Sequence, residues 1–376
     1  MNSRRRNVSD DPQTTRRRSS RLSSDELLLS IPIDLVIEIF SRLPLKSIRW
    51  ASVLRRSDLT ELFLTKSLAH PQLLFVRRKE SKVIFCSSSQ PQNLVENLSP
   101  IAVDHHIAFP FERVYDISSS VNGYVSISDY RMLKRRKTPE FVGVICNPST
   151  RQCFTLPKMK TKKKTAVRSF LGYDPIEKQH KVLAMIWQKD GAEMHQVLTL
   201  KGNGNMTWRF IECRIQHSFP GRECICINGV LYYNAKVSKG DNMILYFDVR
   251  SEKYIYVKFM ERGMFHATLI NFQGKLVSLM ILEDPEKHEW SKHIFILPPT
   301  WKDLVGEKIL YFVGVTATNE FVFSPSSSSD LYYVYYYNFD KETITRVQIQ
   351  GIGAFERDKG SRALTFLDHV EHLKLM

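Results

Sequence analysis

Two cysteines one residue apart, Cys224-x-Cys226, are the first side chains in this sequence suited to metal or redox chemistry. On a strand both thiols face one side, where a bridge between them is strained, and no second cysteine pair lies at zinc-like spacing. Core packing is the better reading, because free cysteine is among the most buried residue types. Eleven histidines are scattered, and the adjacent His105 and His106 would point to opposite sides of a strand. No His-Glu-x-x-His, Gly-x-Ser-x-Gly or phosphate-loop pattern occurs. Lys201-Gly202-Asn203-Gly204-Asn205 reads as a hairpin turn, since no Lys-Ser/Thr helix start follows. Tyr332, Tyr333, Tyr335, Tyr336 and Tyr337 offer either an aromatic recognition surface or ordinary strand packing, and strand packing is favoured. The sequence therefore nominates no catalytic residue, no cofactor and no metal ligand.

The chain has 376 residues and a formal net charge of +15. Residues 1–24 contribute +5 and residues 131–168 contribute +11, so the remainder sums to −1. The first segment has almost no apolar content and reads as a disordered tail. Its two arginine triplets, Arg4-Arg5-Arg6 and Arg16-Arg17-Arg18, have the spacing of a bipartite nuclear-import signal, placing the protein in the nucleus, the cytoplasm or both. The second segment, Lys134–Lys137 with Lys158, Lys160, Lys162, Lys163, Lys164 and Arg168, is expected on exposed loops. It lacks interleaved aromatics, which disfavours nucleic acid as a partner. No apolar run approaches the roughly 18 residues of a membrane span, and no secretory h-region opens the chain. The six cysteines are accordingly expected to be reduced.

Residues 25–70 carry a helical pattern unlike the rest. Ser30-Ile31-Pro32 supplies a cap and an early proline, and Leu35, Val36, Ile39, Phe40 and Leu43 form an apolar stripe closed by Pro44. A second start runs from Pro44 through Ile48 to Trp50. A third begins at Asp58, with Glu61 completing a capping box and Leu59, Leu62 and Phe63 forming its apolar face. The order Ile31-Pro32, Asp34-Leu35, Glu38-Ile39-Phe40, Arg42-Leu43-Pro44, Lys46-Ser47-Ile48, Trp50 and Phe63 resembles the F-box of the plant family that joins it to an F-box-associated (kelch-like) domain. The resemblance implies docking on a Skp-type adaptor, and through it on a cullin, by Ile31, Pro32, Leu35, Val36, Ile39, Phe40, Leu43, Pro44, Ile48 and Trp50. It also implies a C-terminal domain that selects a protein substrate. Family members carry about eight further residues before the tryptophan, near 12 Å of helix. Here only Arg49 separates Ile48 from Trp50. The F-box is therefore shortened after Ile48, which implies either weakened adaptor docking or a lost piece of coding sequence.

From Pro71 to the end the pattern is one of short β-branched and aromatic runs, such as Leu73–Arg77, Tyr124–Ile127, Val182–Trp187 and Ile244–Val249. One hairpin class recurs at Asn122-Gly123, Asn228-Gly229, Gln273-Gly274 and Asn319-Glu320. A second turns on Asn147, Asp174, Asp248 and Asp340. Spacings near 45–50 residues fit four-stranded propeller blades, of which about six would fill residues 71–376. An irregular two-sheet β-sandwich remains the alternative. Stretches from Asn147-Pro148 and Gly172-Tyr173 also resemble the F-box-associated domain. The expected organisation is a basic tail over 1–24, a small all-α F-box over 25–70 and a large all-β, propeller-like domain over 71–376. The functions expected are non-catalytic substrate recruitment for a ubiquitin ligase, or a free β-propeller interaction module whose shortened F-box no longer docks.

Overall fold

A computed structural model describes residues 32, 35, 57–79, 81–91, 99–132, 139–159, 164–188, 193–201, 205–218, 220–236, 242–258, 268–277, 281–284, 287, 289–291, 301–306, 308–325, 331–352 and 363–373. Helix α1 (Ser57–Ala69) leads into β1 (Gln72–Lys79), β2 (Lys82–Ser89), β3 (Ile101–Ala102) and β4 (Asp104–Pro110). Next come β5 (Val114–Ile117), β6 (Val125–Arg131), β7 (Glu140–Asn147), β8 (Gln152–Thr155), β9 (Lys164–Asp174), β10 (Gln179–Gln188), β11 (Glu193–Thr199) and β12 (Arg209–Ile211). The following eight strands are β13 (Cys224–Ile227), β14 (Val230–Lys236), β15 (Asn242–Asp248), β16 (Lys253–Lys258), β17 (Ile270–Phe272), β18 (Lys275–Val277), β19 (Ile281–Asp284) and β20 (Glu289–Ser291). After the short α2 (Trp301–Val305) lie β21 (Leu310–Val315), β22 (Glu320–Pro325), β23 (Tyr332–Asn338), β24 (Thr343–Gln350) and β25 (Ala363–His369).

These strands form six antiparallel sheets that follow the chain as successive blades: β5 to β8, β9 to β12, β13 to β16, β17 to β20, β21 to β24, and a first blade ordered β25-β1-β2-β4. The ring closes because β25, from the far end of the chain, pairs antiparallel with β1, Phe75 opposite Thr365 and Val76 opposite Leu364. A second latch is β3, which leaves the first blade and pairs in parallel with the outer edge of the last, Ile349 against Ile101. That contact covers an edge strand whose free amides would otherwise invite pairing with another chain. The closed blade arrangement sets aside the sandwich alternative.

The hydrophobic core is divided among the seams between blades. Phe85, Val125 and Ile127 fill the first seam, and Ile145, Val182 and Trp208 the second. Leu183, Leu231 and Phe247 fill the third, and Ile227, Ile244 and Leu282 the fourth. Ile270, Val277 and Val315 close the fifth, and Val322, Tyr336, Leu73 and Phe75 bring the last blade against the first. Each blade has two buried faces, which is why its strands read as near-continuous apolar runs.

The first hairpin class is confirmed in its backbone. Asn122, Asn228, Gln273 and Asn319 take φ of 46°, 48°, 49° and 64°, and Gly123, Gly229 and Gly274 take 87°, 85° and 80°. Two consecutive positive φ values match the right-handed twist of the flanking strands, and Asn-Gly supplies them at least steric cost. The second class turns on an Asx side chain. Asn147 Oδ1 accepts the Thr150 amide, Asp174 Oδ1 those of Ile176 and Glu177, and Asp248 Oδ1 that of Ser251. In the last blade this role belongs to Asn338, which accepts from Lys341, and not to Asp340.

Four other expectations need correction. Lys164 and Arg168 are not on a loop: inner strand β9 begins at Lys164, within the basic run, and Arg168 is only 4% exposed. Cys146 and Cys153 are joined in a disulfide, not reduced, because the tight β7–β8 turn sets them directly opposite each other. Leu62 of α1 is exposed while Phe63 is buried, so the helix rests on the propeller by a narrower face than its sequence suggests. Cys224 and Cys226 are half-buried rather than sealed in the core. The turn expected at Gly202-Asn203-Gly204 falls outside the described residues.

Candidate functional site

The inner strands β5, β9, β13, β17, β21 and β25 surround a central channel of about 1880 Å³. All six begin at one face and end at the other, so each mouth is built from a fixed set of connections. At the mouth where they end, α1 lies beside the opening: Glu61 and Leu64 line it, and Glu61 pairs with Lys178 from the turn after β9. Ser67 Oγ of α1 accepts the Glu371 amide at 2.6 Å, fastening the helix to the segment after β25. Below α1, Tyr124 and Tyr173 pack their rings against His180 at 4.6 and 4.7 Å, and His180 Nε2 donates to the Val121 carbonyl at 3.0 Å.

The opposite mouth carries the charge. Arg168 on β9 reaches across to β5, where its Nη1 donates to Asp116 Oδ2 at 3.0 Å, while Nη2 lies 3.4 Å from the Pro220 carbonyl. Burial raises the Asp116 pKa despite the opposing pull of Arg168 and Arg222, which marks how far the pair is withdrawn from water. Tyr115 is 37% exposed, with the Arg222 guanidinium 4.6 Å and that of Arg168 5.3 Å from its ring centre. This is an aromatic face flanked by two guanidinium groups, one buried and fixed by a half-buried carboxylate and one exposed. Such an arrangement offers an aromatic ring and guanidinium donors on one surface.

One arrangement has the outline of a nucleophile and base. Ser120 Oγ, on the channel wall, lies 2.8 Å from Nδ1 of His369. Complete burial, with His106 nearby, lowers the His369 pKa to about 3, far below the working range of a general base near neutrality. Its Nε2 also meets no partner among the described residues, so no carboxylate orients the ring. The geometry describes a buried structural contact.

Of the adaptor-facing residues expected from the sequence, Pro32 and Leu35 are described: both are exposed, and the Leu35 amide donates to the Pro32 carbonyl at 3.0 Å. Ile31, Val36, Ile39, Phe40, Leu43, Pro44, Ile48 and Trp50 lie outside the described residues, as do Arg4, Arg5, Arg6, Arg16, Arg17 and Arg18. Cys224 and Cys226 line the channel wall, where burial lifts the Cys226 thiol to about 11 and keeps it neutral. His105 is exposed and His106 buried, as strand alternation requires. Tyr332, Tyr335, Tyr336 and Tyr337 are all buried, so packing accounts for them. The Tyr115–Asp116–Arg168–Arg222 group was not anticipated. Its members lie up to 107 positions apart in the chain, and nothing local to any of them marks the convergence.

The profile of the F-box associated beta propeller domain family matches residues 72–370. The F-box protein DOR of Arabidopsis thaliana is 48% identical, with all of both chains covered. A putative F-box protein of that plant is 44% identical over 98% of each chain, and a further F-box protein is 43% identical over 100% of this chain and 99% of its own. Among solved structures, the Aleuria aurantia lectin in complex with alpha-methyl-L-fucoside matches 76% of this chain and 98% of its own at 8% identity and a TM-score of 0.41, too loose a likeness to argue from.

Proposed function

The chain belongs to the F-box proteins that carry an F-box-associated β-propeller, and from that premise we propose that it is a substrate-recruiting subunit of a Skp–cullin–F-box ubiquitin ligase. The observation that carries this reading is full-length likeness to F-box proteins on a chain whose residues 31–50 hold the F-box order. Transfer chemistry would reside on partner enzymes. This chain would contribute proximity, raising the effective concentration of substrate lysines near the charged ubiquitin. The adaptor-facing surface would be the ten F-box residues given above, from Ile31 and Pro32 to Ile48 and Trp50, and the propeller mouth bearing Tyr115 and Arg222 would meet the protein substrate. The arginine triplets of the tail would direct nuclear import. Replacing all six by alanine in a fluorescent fusion should shift the protein toward the cytoplasm, and an unchanged distribution would remove that role.

The test is a binding titration of the full chain against a plant Skp-type adaptor, beside a variant with about eight helical residues inserted after Ile48. Submicromolar binding by the native chain, abolished by Leu35→Asp with Pro44→Ala, supports the ligase reading. The single residue between Ile48 and Trp50 favours a second reading, a free propeller interaction module. Binding that appears only after the insertion would establish that alternative.

A further inference from the structure

Where blades three and four meet, two imidazoles, a thiol and a carboxylate converge away from the channel. We propose that His195, Cys213 and His217, with Glu193, form a binding site for one zinc-like divalent transition-metal ion. Glu193 and His195 stand two residues apart on β11 and share a face. Cys213 and His217 come from the connection that follows β12, four positions apart. The ligand atoms of His195, Cys213 and His217 all lie within 4.8 Å of one another. Tetrahedral zinc holds nitrogen and sulfur ligands at roughly 2.0–2.3 Å, hence about 3.3–3.8 Å apart, so a contraction near 1 Å brings these three ligand atoms into range.

The hydrogen bonds orient the rings for this. Nδ1 of His217 lies 2.8 Å from the Ser218 carbonyl, which can only accept, so Nδ1 carries the proton and Nε2 of the neutral ring presents a lone pair. That Nε2 is 3.3 Å from Glu193 Oε1, and the same oxygen is 2.6 Å from Nε2 of His195. The Tyr233 hydroxyl, 3.4 Å away, can donate to the Nε2 of His217, and a metal ion between that nitrogen and the Glu193 carboxylate would replace this contact. Nδ1 of His195 meets the Tyr254 hydroxyl. Both rings therefore turn Nε2 inward and fix Nδ1 on an oxygen, the outer arrangement that metal-bound histidines use. On binding, the His195 proton moves from Nε2 to Nδ1, Cys213 releases its proton to solvent, and no electron changes hands. Tyr233, Tyr254 and Trp187 wall the site.

The sequence held one signal for this, the Cys213-x-x-x-His217 spacing, but His195 joins it only through the pairing of β11 with β12. The connection that carries Cys213 and His217 goes on to Pro220 and Arg222 at the channel mouth. Metal binding would thus tie the recognition surface to the outer strands of blade three. The inference stands apart from the ligase reading and is tested without an adaptor.

The experiment uses the full chain, freed of metal by chelator and titrated with cobalt(II), followed by displacement with zinc. One equivalent should bind, with intense visible d–d bands and a thiolate-to-cobalt band, and one equivalent of zinc should bleach them. Cys213→Ser should lose the thiolate band and weaken zinc binding by about 100-fold, while Cys86→Ser should retain both. Zinc should also protect Cys213 of the native chain from alkylation, a readout that does not depend on how the variant folds. No stoichiometric uptake, a thiolate band that survives Cys213→Ser, or alkylation of Cys213 unchanged by zinc would each overturn the site.

Discussion

Acidification should attack this propeller at the strand that closes it. His369 on β25 is wholly buried, its Nδ1 is bonded to Ser120, and its Nε2 has no partner among the described residues. A proton added there would be a buried N–H with no acceptor. Burial, with the like charge of His106, lowers the pKa from 6.5 to about 3. The unfolded chain takes up that proton near pH 6.5, whereas the folded chain does not until about pH 3. Stability is therefore fully present above 6.5 and lost as pH falls toward 3, at up to ~1.4 kcal/mol per unit. At pH 4.5 this costs roughly 3 kcal/mol, a large share of a typical domain's 5–15 kcal/mol. His369→Phe removes the titration and gives up the Ser120 bond, a loss of about 1 kcal/mol at pH 7.5. Urea unfolding of both chains from pH 7.5 to 4.5 should then show crossing curves, with the variant more stable by about 2 kcal/mol at pH 4.5. Parallel curves would refute the buried neutral imidazole.

Other perturbations probe the seams, the channel mouth and the edge. Glu371, raised from 4.5 to about 7 by burial and by Asp104, works in the opposite sense, its stabilisation being lost as pH rises through that window. The gain from Glu371→Gln should accordingly grow between pH 4.5 and 7 to at most about 3 kcal/mol, read from the same urea midpoints. A Cβ on Gly172 would stand 2.6 Å from Val249 Cγ2 and 3.0 Å from Leu231 Cδ1, so Gly172→Ala should cost about 1–3 kcal/mol through overpacking of the blade three–four seam, measured as a lowered Tm. Asp116→Asn removes the carboxylate charge that Arg168 meets on β5 and should cost about 3 kcal/mol, most of it recovered in the double variant Asp116→Asn, Arg168→Met. Reducing Cys146–Cys153 reopens a short loop and should lower stability by about 2 kcal/mol, visible as a Tm difference with and without reductant that Cys153→Ser abolishes.

The blades were legible because their signals are local. Asn228-Gly229 can be read from two letters, since few residue pairs accept φ of 48° and 85° in succession. Period and turn chemistry agreed along most of the body, so the ring of sheets followed. Asp340 misled because the Asx side chain that makes the turn is the last residue of its strand, as Asn147, Asp174 and Asp248 are, and in β23 that residue is Asn338. Arg168 misled for another reason. In sequence it ends a lysine-rich run, and nothing in that run shows that Asp116, 52 residues earlier, waits on the neighbouring inner strand to neutralise it. A buried cation is tolerable only with its partner, and the partner is a property of the ring.

That difference governs what the molecule exposes for function. The proposed recognition mouth and the proposed metal site both draw on the connection between β12 and β13, which supplies Cys213, His217, Pro220 and Arg222 from ten successive residues. Among its described residues the backbone makes two backbone–backbone hydrogen bonds outside the strands, the Ser218 amide donating to the Lys236 carbonyl and that of Gly221 to the Asn234 carbonyl. A connection so lightly held by its backbone must be positioned by its side chains. His217 anchors one end on Glu193, Cys213 braces the connection on the Ile215 carbonyl, and Arg168 reaches the other end at Pro220. Loosening either anchor should therefore alter the placement of Arg222 over Tyr115 before it alters the blades. In that case, Tyr115 solvent accessibility should rise in Cys213→Ser while the urea midpoint stays within about 1 kcal/mol of native. An unchanged Tyr115 would mean that the mouth is set by β5 and β9 alone.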